Sequence, residues 1–190
     1  MVCIVLSGIR ICIDFTAPFL LGILSLTLPA YQIWQTVSAC LLHEAAHIIV
    51  VFCTSQRPEK LTVSACGMQL TIRRGTLCPL RSCIPILLSG PLANLVAALV
   101  LLHFGLHEAA AANLSLFWFN LLPFCGTDGG TLLRMVLEQK YEPRKEIADH
   151  IAQCTALAAA LTILALIHIT EQRNPVLFVL IIYLTLSDFM

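Results

Sequence analysis

His43 and His47 stand four residues apart, with Glu44 between them, in the run His43-Glu-Ala-Ala-His47. On an α-helix, at about 100° per residue, that spacing puts both imidazoles on one face, one turn apart. Two imidazoles so placed can ligate one Zn²⁺ at about 2.0–2.1 Å each. Glu44 falls about 100° round from His43, beside the metal rather than on it. There it can take a proton from the water that such a metal activates. The surrounding stretch, from about Tyr31 to Cys53, is apolar. Ionisable groups at membrane depth cost at least ~2.5 kcal/mol each on insertion scales, so a cluster of them needs a shared reason. A metal supplies one. A hydrogen-bonded His-Glu-His cluster tying helices together is the competing explanation.

Zinc also needs a third protein ligand and an open position for water. The candidate lies in Asn120-Leu-Leu-Pro123-Phe-Cys-Gly-Thr-Asp128-Gly129-Gly130. Pro123 would break a helix and leave backbone groups free beside a cavity. The two glycines after Asp128 permit a tight turn that aims the carboxylate inward. On spacing alone, a helix end with an Asp-Gly turn explains the same residues equally well. Cys125 is a further potential ligand, but a fourth protein donor would fill the position that water needs. His103 and His107 are also four apart, with Glu108 following, yet their order is wrong for a second site of this kind. They read as interfacial or capping residues. His150, His168, Trp34 and Trp118 read as packing or membrane-belt residues.

The elements that must carry these residues are set by composition. Of 190 residues, 58% are apolar and 12% charged, against about 45–50% and 25% for a soluble domain. With a mean hydropathy of +0.88, the bilayer has to be the main solvent. Net charge is zero, with no basic excess for nucleic acid. The nine cysteines form no CxxC pair, which excludes a structural zinc knuckle and argues for free thiols over a disulfide framework. Residues 2–13 predict a short strand at the membrane surface. A first span is predicted over about 15–30, a second over 31–53 and a third over 84–104. The fourth falls at 110–124, the fifth at 151–169 and the sixth at 176–186. Alternation around Cys66-Gly67 predicts a β-hairpin at 61–74, and the charged residues 134–149 predict a surface helix. A cleaved signal peptide with Arg10 as its basic region fits less well, because Asp14 and Pro18 interrupt the apolar run.

Charge distribution orients the spans. With six spans and a cytoplasmic N-terminus, Arg10, Arg57, Lys60, Arg73, Arg74, Arg81, Arg134, Lys140, Arg144 and Lys145 lie inside and only Arg173 outside. That positive-inside bias predicts both termini in the cytoplasm.

Together, His43-Glu-Ala-Ala-His47, Ser89-Gly90-Pro91-Leu-Ala-Asn94 and Asn120-x-x-Pro123-x-x-x-x-Asp128-Gly-Gly resemble the site-2 protease family of zinc intramembrane metalloproteases. The three motifs fall in the family's order on the second, third and fourth spans. The six-span layout without a PDZ insertion is similar to the stage IV sporulation FB-type subgroup, here without a CBS domain. Asp14 stands where many relatives have a histidine. The resemblance implies an all-α polytopic membrane fold of about six helices with a small surface β element. It implies a single metalloprotease domain over 1–190. His43, His47 and Asp128 would hold one Zn²⁺, Glu44 would be the catalytic base, and Asn94 and Asn120 would line the cleft as substrate-binding or oxyanion residues. Gly90 to Asn94 would let the third span pack closely on the metal helix.

The expected activity is hydrolysis of peptide bonds in or near transmembrane segments of membrane-bound substrates. The expected partners are such a substrate and the lipid bilayer, with room for a regulatory membrane protein and no nucleic acid. A prokaryotic plasma membrane is the expected location. The alternative is a membrane metal-binding or scaffold protein that keeps the fold and does not cut; a zinc transporter is a third, weaker reading.

Overall fold

The computed structural model describes residues 2–6, 9–13, 15, 29–54, 58–64, 67–72, 80–169 and 181–186. The chain divides into two compact units, Met1–Trp118 and Phe119–Met190. The protein is an α-helical membrane protein. Among the described residues, three helices are long and apolar enough to cross a bilayer.

The first unit begins with strands β1 (Val2–Leu6) and β2 (Ile9–Ile13), followed by helix α1 (Ala30–Cys53). Strands β3 (Pro58–Ser64) and β4 (Gly67–Ile72) come next, then helix α2 (Leu80–His103). The strands form one sheet in the order β1-β2-β3-β4. The outer pairs are antiparallel and β2–β3 is parallel, with Arg10 opposite Lys60 and Ile13 opposite Val63. An open sheet cannot sit in hydrocarbon with its edge groups unbonded, so this one belongs at the membrane surface.

Two expectations need correction here. Residues 2–13 form a hairpin rather than one strand; the overlooked signal is Ser7-Gly8, a dipeptide that punctuates strands. The hairpin register then sets Cys3 opposite Cys12, 4.0 Å apart at Cα, and the two are joined by a disulfide. Cys83 is disulfide-bonded as well. The reading of all nine cysteines as free thiols therefore fails. Nine residues of sequence separation concealed a direct cross-strand pair. Cys40, Cys53 and Cys154 are free. The second hairpin is where alternation predicted it, with β3 starting earlier, at Pro58.

Helices α1 and α2 have 24 residues each, about 36 Å of rise at about 1.5 Å per residue, enough to cross ~30 Å of hydrocarbon. The buried positions of α1 are Ala39, His43, His47 and Val51, one stripe with a four-residue repeat. Those of α2 include Cys83, Ile86, Gly90, Asn94 and Ala98, a matching stripe. Trp34, Leu41, Ile49 and Phe52 on α1, and Leu92, Val96 and Leu99 on α2, are exposed. Large apolar side chains outside and polar ones inside is the arrangement a lipid solvent favours.

Helix α3 (His107–Leu121) straddles the boundary between the units. At 15 residues, or about 22 Å, it is shorter than the ~30 Å core. It ends two residues before Pro123, as expected of a residue without an N–H to donate.

The second unit contains α4 (Asp128–Lys140) and α5 (Lys145–Ile169). The charged segment 134–149 is thus not one surface helix. It is the end of α4, a break at Tyr141–Arg144, and the start of α5. Pro143 has no N–H to continue α4, and the Glu142–Pro143 bond is cis. Leu137 of α4 packs on Ala148 and Ala152 of α5, while Phe124 packs on Ala156, Ala160 and Ile181. Alanines four apart along α5 give its neighbours a smooth face to approach. The predicted first span lies almost wholly outside the described residues, as do residues 176–180 of the sixth, whose residues 181–186 are helical.

Candidate metal centre

Helix α1 presents His43 and His47 on its single buried stripe, 4% and 7% exposed. Their Nε2 atoms face each other across 3.1 Å. Each Nδ1 is held from α2. His43 Nδ1 lies 3.2 Å from Asn94 Oδ1, and His47 Nδ1 lies 2.6 Å from the Ile86 carbonyl oxygen. Both partners can only accept, so both Nδ1 atoms donate, and the protons of the neutral rings sit there. The Asn94 amide is oriented by its network, its Nδ2 donating to Ala39 O at 3.4 Å. Ser89 Oγ donates to Ile86 O at 2.6 Å and turns its lone pairs towards His47 Nδ1 at 3.2 Å.

Two buried Nε2 lone pairs therefore point into the same space. Such lone pairs repel unless a cation lies between them. Two ligands about 2.05 Å from a tetrahedral zinc stand ~3.3 Å apart, close to the 3.1 Å found here. The donor set fits a metal.

Gly90 makes the close approach of α2 possible. A Cβ there would lie 2.6 Å from His43 Nε2 and would collide with His47 Nε2 as well. Only glycine leaves that volume to the rings and to what they bind. Glu44, one position on from His43, is half-buried at the side of the pair.

In the second unit, Asp128 is the first residue of α4 and half-buried. Thr127 caps that helix, accepting from Gly130 N at 3.1 Å. A carboxylate in the first turn is favoured by the helix dipole. The expected turn at Asp128-Gly-Gly is instead the first turn of a helix. The chain bends earlier, through residues 122–127, where Gly126 has a φ of 93°. Gly129 and Gly130 answer to packing: a Cβ on either would strike the carbonyl group of Leu121 or of Phe124. Asn120 is half-buried in the last turn of α3.

Asn94, expected in a substrate cleft, is fully buried, with its amide bonded to α1. His103 and His107 are exposed on different helices either side of the Gly105 turn. They form no group with the spacing of a metal site among the described residues. Trp34 and Trp118 are exposed, as lipid-facing or belt residues would be. Sequence reasoning missed Ser89 and the Ile86 carbonyl as partners of His47. A backbone oxygen carries no residue-type signal, and Ser89 was visible only as the start of Ser89-Gly90-Pro91.

Fold and site together define an α-helical membrane protein in which two helices, packed stripe to stripe, bury a bis-histidine pair suited to a metal. The backbone is similar to the structure titled Site-2 Protease from Methanocaldococcus jannaschii, with a TM-score of 0.70 and 22% identity, over 98% of this chain and 93% of that one. That likeness establishes a shared fold. No protein-family model and no curated protein matches the sequence.

Proposed function

We propose that the chain is an intramembrane zinc endopeptidase of the site-2 protease type, cutting peptide bonds in or beside the transmembrane segments of other membrane proteins. The observation that carries this reading is the convergent Nε2 pair of His43 and His47 inside an apolar helix pair. The shared fold supports it. One zinc per chain, held by His43, His47 and Asp128, is the proposed cofactor. Bound there, zinc supplies an acidified water, with a pKa towards ~7, and polarises a carbonyl.

Glu44 takes the proton of the attacking water and returns it to the leaving amine. A carboxylate on the helical position next to His43 is fixed by the same backbone that fixes the ligand, so its reach needs no loop movement. Asn120 donates to the substrate backbone or to the oxyanion that develops during attack. Water reaches the site from the cytoplasmic side, towards which the basic residues orient the chain.

A helical substrate must be locally extended before a peptide bond is open to attack. An edge of the surface sheet can hold the extended segment by strand addition. Substrates with helix-weakening residues near the cut are therefore expected to react faster than Leu/Ala-only segments. The proposed setting is a prokaryotic plasma membrane with both termini cytoplasmic.

The test is zinc content of the detergent-purified protein together with cleavage of a reconstituted transmembrane reporter peptide carrying Gly or Asn at its centre. Wild type and Glu44→Gln should carry about one zinc, and Asp128→Asn should lose it. Cleavage should occur with wild type alone. Zinc without Glu44-dependent cleavage would favour a metal-binding or scaffold protein. A folded wild type without zinc would remove the metalloprotease reading.

A further inference from the structure

We infer that Asn94 is a positioning residue for the metal ligand His43 and that Ser89, with the Ile86 carbonyl, is its counterpart for His47. One stretch of α2, Ile86 to Asn94, would then be the outer shell of the centre rather than a wall of the substrate cleft. The inference rests on the proposal that His43 and His47 bind zinc.

A ligating imidazole must keep its lone pair on the atom that faces the metal, and the other nitrogen's hydrogen bond decides which atom that is. His43 Nδ1 finds an acceptor that can never donate, Asn94 Oδ1 at 3.2 Å. Asn94 is held in turn by Ala39 O, one turn before His43 on α1, so ring and amide are locked in a closed circuit between the two helices. His47 Nδ1 finds the Ile86 carbonyl at 2.6 Å. Ser89 gives its own proton to that carbonyl and leaves an oxygen lone pair 3.2 Å from the same Nδ1–H. Ser89 therefore adds a second acceptor to one proton.

This geometry explains why a polar side chain with no exposed surface sits in a membrane helix. Burying an amide in hydrocarbon is costly unless its groups are bonded, and here the bonds go to a ligand and to the backbone beneath it. A substrate-binding asparagine would need to turn away from both. The rank of the two positions follows. His43 Nδ1 is met by a side-chain acceptor, so the choice of residue at 94 should matter more. His47 keeps the Ile86 carbonyl whatever stands at 89, so Ser89 should matter less.

The experiment uses the full chain in detergent and measures Zn²⁺ affinity by competition with a chromogenic chelator, and the visible spectrum after Co²⁺ loading. Asn94→Leu keeps the size and removes the acceptor; Asn94→Asp keeps the acceptor. Asn94→Leu should weaken zinc binding about 10–100-fold and change the Co²⁺ bands. Asn94→Asp should restore affinity to within about threefold of wild type and restore the bands, a rescue that a packing role would not give. Ser89→Ala should weaken binding less than about 10-fold and still shift the Co²⁺ bands. Metal-free thermal unfolding shows whether each variant is folded, and Ser89→Ala decides alone if Asn94→Leu is not. Wild-type affinity and spectrum in a folded Asn94→Leu or Ser89→Ala protein would overturn the inference while leaving the zinc site intact. A folded wild type that binds neither ion would overturn both.

Discussion

In the proposed zinc site the two imidazoles of α1 serve only if their protons are kept on the far side, and the residues placed to do that lie 39 to 51 positions away. His43, Glu44 and His47 declare themselves by spacing, since four residues is one helical turn wherever the helix lies. Their partners do not, because Asn94 and Ile86 meet them only after α1 and α2 have packed. Gly90 shows the same dependence. Its meaning lies in the missing Cβ, whose place is filled by the His43 and His47 rings. Gly90→Ala should therefore displace both rings and lower zinc affinity by about 10-fold or more, read by chelator competition. Normal affinity in that variant would mean the helices are spaced more widely than described. Glu44→Gln makes the opposite demand: zinc content unchanged, turnover of a reporter peptide lost.

Among the elements, apolar runs were the most legible feature. The predicted second and fifth spans lie within α1 and α5, and the third runs one residue past the end of α2, because length and hydropathy need no partner to be read. Places where backbone meets backbone were less legible. Gly129 and Gly130 suggested a turn after Asp128, yet they are helical and small because the Leu121 and Phe124 carbonyls crowd them. Thr127, which sequence reading passed over, is the actual start signal. It is 2% exposed and accepts from Gly130 N, while its hydroxyl also reaches the Leu122 and Phe124 carbonyls. Thr127→Val should cost about 1 kcal/mol through the lost cap and lower the midpoint of thermal unfolding. Gly130→Ala should do more harm, since its new methyl meets the Phe124 carbonyl oxygen. If Gly130→Ala unfolds like wild type, α4 does not begin where it is described. The Arg134–Asp149 pair between α4 and α5, 3.7 Å apart and partly exposed, should matter little by comparison.

For the whole molecule, the sheet is the most informative part, since it joins strands that precede α1 to strands that follow it. Both hairpins must lie on one side of the membrane. An epitope tag before Met1 and another inserted between Ser64 and Gly67 should thus be equally accessible in permeabilised cells and equally protected in intact ones. Opposite behaviour would mean the β2–β3 pairing does not form. In the proposed orientation that side is the cytoplasm, where thiol pools keep most cysteines reduced. Cys3 and Cys12 are accordingly expected as thiols when trapped by alkylation in growing cells, and as a disulfide once the protein is purified in air. A disulfide trapped intact from cells would turn the membrane orientation round. The bond also has a mechanical consequence. A chain dragged by its N-terminus would ordinarily unzip β1 from β2 first. With Cys3 tied to Cys12, the residues between them carry no load along the chain, and force passes straight to Cys12 within β2. The first seam to resist is then β2–β3, where residues 10–13 face 60–63. In the oxidised, air-purified protein, a pull on the N-terminus would have to tear that seam open before any load reached α1.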